Sequence, residues 1–422
     1  MPALPAGTDL SKPQSLTDCA RLALALNPSL AVAGKQVTQA SASVVQARAA
    51  LLPSLSLGAD LAASQSLTPS GGGATGGGFT GGGRSTNRDV SLTLNQTFFR
   101  SGLIQQIAAA RASALAARWG FHDARRTLLL NVAQGYYAVL AATALADVAH
   151  QSVKAATVHL DAANTRIQAG TAAKSDRYPF EVQLQQALVQ AISAENQITL
   201  SLNNLKEIMG LPATVSLRLA ESLGRPAPPD NLDELRAQAM QNRPDVAQRR
   251  AQVEASRQQA QAAEIQRGPV LTASGSDDYG SHTNAQGNAW QVQVGVSLPI
   301  FDAGATRAAA DSARAGLDIA RENLRQTELG ASAEVENNFA TALQANQQID
   351  VAQAATNAAQ ISLQAAEEKY AAGLGTVLDV TDAELKLRQA QSDEVQARYN
   401  YNTALAALRA SVGQPAVEGL GS

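Results

Sequence analysis

Apolar and polar positions alternate with a period of two in several short stretches of this chain. Val90, Leu92 and Leu94 take one side, and Asp89, Ser91, Thr93 and Asn95 the other. Trp290, Val292, Val294, Val296 and Leu298 alternate with Gln291, Gln293, Gly295 and Ser297, and Leu55, Leu57, Ala59 and Leu61 with Ser54, Ser56, Gly58 and Asp60. A fourth stretch, Pro269 to Tyr279, is weaker but similar. This period predicts strands with one apolar and one polar face. A half-buried soluble strand and a strand of a membrane barrel both read this way, and alternation by itself favours the soluble case.

Between these stretches the period lengthens to three and four. Leu129, Val132, Tyr136 and Val139 recur at helical spacing, as do Ile198, Leu202, Leu205 and Met209. From Leu103 to Ala169, and again from Ala305 to Ala372, there is no proline. At about 1.5 Å per residue each segment spans roughly 100 Å as a helix. Gln, Asn and Ser crowd the remaining faces, so coiled-coil packing with wet outer surfaces is expected. Helices of about half that length follow, near Pro179 to Met209 and Leu378 to Ser411, and shorter ones precede the strands, Pro28 to Leu51 and Pro244 to Gln266. Stacked end to end, these match a long helix, which predicts an elongated helical wall with strands at one end. Four short strands alone make a sheet with exposed edges, and association into a closed barrel removes that difficulty.

The pattern occurs twice. Asn27-Pro28 and Pro53 recur as Arg243-Pro244 and Pro269; Phe99 and Gly102 recur as Phe301 and Gly304; Gly170, Asp176 and Gly210 recur as Gly373, Asp379 and Gly413. The offset shrinks between Pro53 and Phe99, so the first half carries an insertion, which contains Gly71 to Gly83. The expected organisation is an N-terminal extension (1–14), a first repeat (15–213), a linker (214–230), a second repeat (231–413) and a tail (414–422). The first repeat holds a helix, strands 53–66 and 88–99, a long helix 103–169, a tip turn 170–176 and a helix 179–209. The second holds a helix, strands 269–280 and 290–300, a long helix 305–372, a tip turn 373–378 and a helix 378–411.

Composition narrows the function classes. Hydrophobic residues make up 45% of the 422 residues but aromatics only 4%, which suits helices packed closely through small side chains. A net charge of −3 offers no basic face for nucleic acid. Cys19 is the single cysteine, preceded by Leu16-Thr17-Asp18 and not by the small residues a lipid anchor favours; it reads as a small apolar helix residue. No uninterrupted apolar run reaches the roughly 18–20 residues of a membrane helix. Met1 to Lys12 lacks a basic start followed by an apolar stretch. That points either to a cytoplasmic protein or to a signal peptide removed or left out, and the repeat favours the second. His122, His150, His159 and His282 are scattered without metal spacing, and no nucleophile-elbow or dinucleotide motif occurs. No enzyme, cofactor or metal site is expected.

Lys369-Tyr370-Ala371-Ala372-Gly373-Leu374-Gly375-Thr376-Val377-Leu378-Asp379-Val380-Thr381-Asp382-Ala383 resembles the helix-turn-helix tip of TolC-family outer membrane efflux proteins, as does its partner Ile167-Gln168-Ala169-Gly170-Thr171-Ala172-Ala173-Lys174-Ser175-Asp176. Ala397-Arg398-Tyr399-Asn400-Tyr401 and the strand ends Phe99 to Gly102 and Phe301 to Gly304 are similar to the family too. With the repeat, the resemblance covers about residues 15 to 413. It implies an α+β, mainly α, TolC-like homotrimeric duct: a shared twelve-stranded β-barrel in the outer membrane, four strands per chain, on a long periplasmic α-helical barrel. The partners it implies are outer-membrane lipid, a periplasmic adaptor (membrane fusion) protein and an inner-membrane transporter of RND or ABC type, in a tripartite efflux pump or a type I secretion system. The loop bearing Gly71-Gly72-Gly73 and Gly76-Gly77-Gly78 would then lie outside the cell. Trp290 and Tyr279 would mark the outer rim of the apolar band and Phe98, Phe99 and Phe301 the inner one, unless they are ordinary packing at strand ends.

At the tip, Asp379 and Asp382 lie three apart and face one side of a starting helix. Their minimum role is to stabilise that helix N-terminus; the resemblance places them at the constriction, where threefold symmetry makes a ring that attracts cations. Tyr370 and Asp176 match positions in the contacts that hold the duct closed. Better-known members carry an arginine where this chain has Gly375; the alternatives are substitution by Lys174 or Arg177 and a looser closure. Gly170, Thr171, Gly373 and Leu374 form the turns expected to contact the adaptor. The competing reading is a periplasmic coiled-coil adaptor or a structural protein, which explains the helices but usually has one hairpin between β-rich flanks.

Overall fold

The computed structural model describes residues 12–69, 79–220, 223–228, 231–282 and 285–417. The glycines expected in the external loop, Gly71–Gly73 and Gly76–Gly78, lie outside the described residues, as do 1–11, part of the linker and the last residues of the tail. In chain order the elements are α1 (Leu16–Leu26), α2 (Pro28–Ala49), β1 (Ser54–Pro69), β2 (Phe79–Arg100), α3 (Leu103–Gln168), a 3-10 turn (Lys174–Asp176), α4 (Arg177–Met209), α5 (Leu232–Asn242), α6 (Pro244–Glu264), β3 (Val270–His282), β4 (Ala285–Ser297), α7 (Ala305–Ala371) and α8 (Val377–Ser411). Two compact units result, one from Met1–Gln36, Arg118–Gln248 and Leu324–Ser422, the other from Val37–Ala117 and Arg249–Asn323.

Each half contains one helix more than its periodicity suggests, because a proline divides the segment before the strands. Ser15 opens α1 through a capping box with Asp18, and Asn231 opens α5 by accepting from the backbone N–H groups of Asp233 and Glu234. Pro28 and Pro244 begin the next helices, where a missing N–H costs nothing. Two strands start earlier than expected, at Phe79 in place of 88 and at Ala285 in place of 290, and β4 stops at Ser297, short of 300. Gly81–Gly83 have no side chains to alternate, so only backbone pairing, such as Leu67 with Gly81, reveals them as strand.

The second unit holds the four-stranded antiparallel sheet, in the order β1-β2-β3-β4. Register aligns its apolar positions across strands. Leu55 pairs with Leu94, Leu94 with Gly275 and Gly275 with Val292; one step on, Leu57 pairs with Leu92, Leu92 with Asp277 and Asp277 with Trp290. Directly paired residues point to the same face, so this face extends over all four strands, its apolar side chains interrupted on β3 by Gly275 and the exposed Asp277. It is bare: Leu57 is 74% exposed, Leu92 41%, Val292 70% and Trp290 77%. Tyr279, Phe98, Phe99 and Phe301 are exposed as well. The opposite face carries Ser56, Thr93, Ser276 and Gln291, also in register.

The first unit is helical and has the largest core. Leu16, Cys19, Leu22 and Leu26 of α1 pack with Leu129, Val132 and Tyr136 of α3, Leu205 and Met209 of α4, and Val417. Cys19 is fully buried there as a small apolar residue. Contrary to expectation, α3 contains an 18-residue window apolar enough by length and composition to cross a bilayer; 56% of that window is buried inside the protein.

Candidate functional site: the paired helix turns

Two helical hairpins, α3–α4 and α7–α8, end in turns built alike. Gly170 closes α3 with φ +74° and Gly373 closes α7 with φ +73°. The backbone N–H of Thr171 returns to the carbonyl of Arg166 (3.0 Å), and that of Leu374 to Lys369 (2.9 Å). These bonds satisfy carbonyls that the helix ends leave open, and the left-handed residue they need is glycine. A Cβ at either glycine would meet nothing within 4 Å, so it is backbone conformation and not crowding that selects the residue. Thr171 and Leu374 are exposed, Leu374 to 84%.

Asp379 sits in a capping box. Its carboxylate accepts from the Thr376 backbone N–H and hydroxyl (both 2.8 Å), and its own N–H donates to Thr376 Oγ1 (3.3 Å). The Thr376 backbone bond, then its hydroxyl, hold the Asp379 carboxyl below the usual carboxylate range. Asp382, one turn on, is exposed and lines a groove of about 450 Å³ between α4 and α8 with Tyr178, Val182, Glu384 and Arg388. Both acids are thus solvent-facing.

The structure does not join Tyr370 to Asp176. The Tyr370 hydroxyl is buried and has no hydrogen-bond partner among the described residues. Its ring lies under the Arg166 guanidinium, 4.5 Å away, and edge-on to Phe180 at 6.1 Å. Arg166 Nη1 also donates to the Tyr370 carbonyl (3.1 Å), placing a cation at the negative end of α7. Asp176 accepts from Ser175 Oγ (3.3 Å). Arg177, a candidate replacement for an arginine at 375, lies 3.3 Å from Glu181 one turn on along α4. Gly375 itself is hemmed in: a Cβ there would lie 3.2 Å from Lys369 Cβ and from the Tyr370 nitrogen.

Sequence reasoning missed Arg166 and a polar cluster behind the turns. Glu384 of α8 is buried and accepts from Gln183 Nε2 of α4. His159 of α3 lies 3.7 Å from Glu384 and 3.5 Å from Glu367 of α7, and stacks on Phe180 of α4 at 5.8 Å. Glu384 follows the buried Val380 by one turn, a spacing that puts it on the packed face. No such signal announces His159, whose partners come from other helices.

The outer membrane efflux protein family matches residues 19–211 and 235–414, one match in each half of the chain. The outer membrane protein TolC of Escherichia coli (strain K12) is 26% identical over 412 residues, covering 93% of this chain and 81% of that protein. The pyoverdine export outer membrane protein OpmQ of Pseudomonas aeruginosa is 29% identical over 404 residues, 93% of this chain and 82% of that one. Among solved structures, the open state of the Neisseria gonorrhoeae MtrE outer membrane channel superposes with a TM-score of 0.79 at 20% identity, covering 96% of this chain and 91% of that chain.

Proposed function

The chain belongs to the outer membrane efflux protein family, and from that premise we propose that three copies pool their sheets into one barrel that spans the outer membrane. Membership makes the protein an outer-membrane channel for export, with its helices in the periplasm. The observation that carries the trimeric barrel is the sheet. Its apolar face extends over all four strands, interrupted at Asp277, and is exposed, and among the described residues β1 and β4 each have an unpaired edge. Burying about ten Leu, Val and Trp side chains in lipid is worth on the order of 10–30 kcal/mol. Open edges in lipid would forfeit much of that gain, whereas closure onto a neighbouring copy satisfies them. A soluble coiled-coil adaptor leaves this face without a purpose.

At the helix turns, Asp379 and Asp382 from each of three chains form an acidic ring that draws cations and holds back anions. The turns at Gly170, Thr171, Gly373 and Leu374 dock a periplasmic adaptor, through which an inner-membrane transporter of RND or ABC type delivers the cargo. Tyr370 acts in closure through Arg166 and Phe180 of the same chain, and Asp176 through contacts with a neighbouring copy. Planar-bilayer recording of the detergent-purified trimer tests the reading: Asp379→Asn with Asp382→Asn lowers the cation-to-anion permeability ratio. Unchanged selectivity removes the two acids from the constriction, and a monomer without conductance removes the barrel.

A further inference from the structure

We infer that His159 is a proton-operated clasp between the two tip hairpins of one chain, tightened by acidification. The geometry is specific. His159 projects from α3 and its Nε2 lies 3.5 Å from Glu367 on α7 and 3.7 Å from Glu384 on α8. Arg388 of α8 adds a positive charge near Glu384. From α4, Phe180 stacks on the imidazole and Gln183 donates to Glu384. Every helix of the two hairpins therefore contributes to one cluster, and it borders an apolar one of Ala163, Phe180 and Val380, with Leu160, Leu363 and Tyr370 beside them.

Nε2 carries at most one hydrogen in either protonation state, so it bonds one carboxylate at a time, and the neutral ring brings no charge to offset the other. Glu367 and Glu384 then face each other as like charges across a site where Glu384 is only 6% exposed. Protonation places a cation between them and links α3 to α7 and to α8 together. Imidazole is the side chain whose charge changes between about pH 5 and 8. Stronger acid undoes the clasp from the other side. Burial pushes the Glu384 carboxyl up, against the opposing pull of His159, Gln183 and Arg388, so it takes a proton before an ordinary glutamate does. The consequence, a tip that opens less readily in acid, rests on the channel reading; the clasp itself does not.

Amide hydrogen exchange of the assembled protein, corrected for the intrinsic pH dependence, separates the two. On going from about pH 7.5 to about 5.5, protection of segment 380–388 rises about three- to fivefold in the native protein, the size of one well-placed ion pair. In His159→Gln the rise is absent. In Glu367→Gln, which keeps the histidine and its α8 partner, it is about halved. A rise of equal size in His159→Gln, or no rise in the native protein, overturns the clasp while leaving conductance untouched. Loss of conductance with a normal exchange profile strikes the channel reading alone.

Discussion

Gly210 and Gly413 take the same place in the two halves, just past the ends of α4 and α8. Each has positive φ (+73° and +82°), and a Cβ on either would come within 2.6 Å of the Leu26 carbonyl oxygen or 2.7 Å of that of Asn242. Gly170 and Gly373 share the backbone conformation without the crowding. A left-handed non-glycine residue costs roughly 1–2 kcal/mol, and a backbone clash adds to that. Gly413→Ala is therefore expected to lower the thermal midpoint of the assembled protein clearly more than Gly373→Ala, as read by circular dichroism in detergent. Equal shifts contradict the close approach. The neighbouring positions show how repeats diverge while one job is kept. Asn27 Nδ2 donates to the Ile208 carbonyl (2.7 Å), and its counterpart Arg243 donates through Nη1 to the Ser411 carbonyl (3.0 Å). Both close the C-terminus of a half-length helix from the residue before a proline.

Among elements, Arg243 does more than its counterpart. It is 4% exposed and pairs with Asp245 (2.7 Å) at the start of α6 and with Glu334 (2.7 Å) on α7. Burial opposes its charge, but the two carboxylates outweigh that and raise its pKa. Burial likewise pushes Asp245 up, and the bond and charge of Arg243 more than reverse this, holding the acid below its ordinary range. Stability from this pair is therefore present above the usual carboxylate pKa of about 4 and is lost as pH falls through the lower folded value. Arg243→Ala removes the main partner of the part-buried Asp245, while Glu334 stays largely in solvent, and is expected to cost on the order of 1–3 kcal/mol at neutral pH. Its deficit in denaturant unfolding shrinks below about pH 4; a deficit independent of pH refutes the account. The strands yield a second expectation at this scale. Val292→Lys, on the bare face, costs roughly 2–4 kcal/mol if it meets the bilayer midplane and depletes the protein from outer-membrane fractions. Gln291→Lys, one residue away on the polar face, leaves it there. Similar losses for both argue against the assignment of faces.

At the scale of the molecule, the turns at Gly170 and Gly373 belong to separate hairpins that Arg166 and Tyr370 tie within one chain. A photo-crosslinker at Thr171 or Leu374 is expected to capture a periplasmic adaptor in cells. One at Val351, 70% exposed along α7 and distant in sequence from both turns, is expected to do so less. Capture at Val351 alone relocates the docking surface. Much of this architecture was legible beforehand. The strand alternation, the proline-free helices and the recurrence of Gly102, Gly170 and Gly210 as Gly304, Gly373 and Gly413 are all visible in the linear order of residues. The early start of β2 was not, because Gly81–Gly83 have no side chains to alternate. Nor was the fate of Tyr370, which lies against Arg166 and Phe180 while its hydroxyl has no partner among the described residues.

Sequence alone determined the periodic elements, the two-fold repeat, the glycine turns and the two unlike faces of each strand. These follow from backbone geometry and the hydrogen bonds of near neighbours, which act over a few residues. Only the tertiary structure decided that the apolar strand face has no helix over it, that His159 comes between Glu367 and Glu384, and that Arg243 bridges α6 to α7. Ala-rich helices are nearly alike on many faces and permit several registers of similar packing energy. Which side chains meet across them is settled by the whole set of long-range contacts, and no local pattern records it.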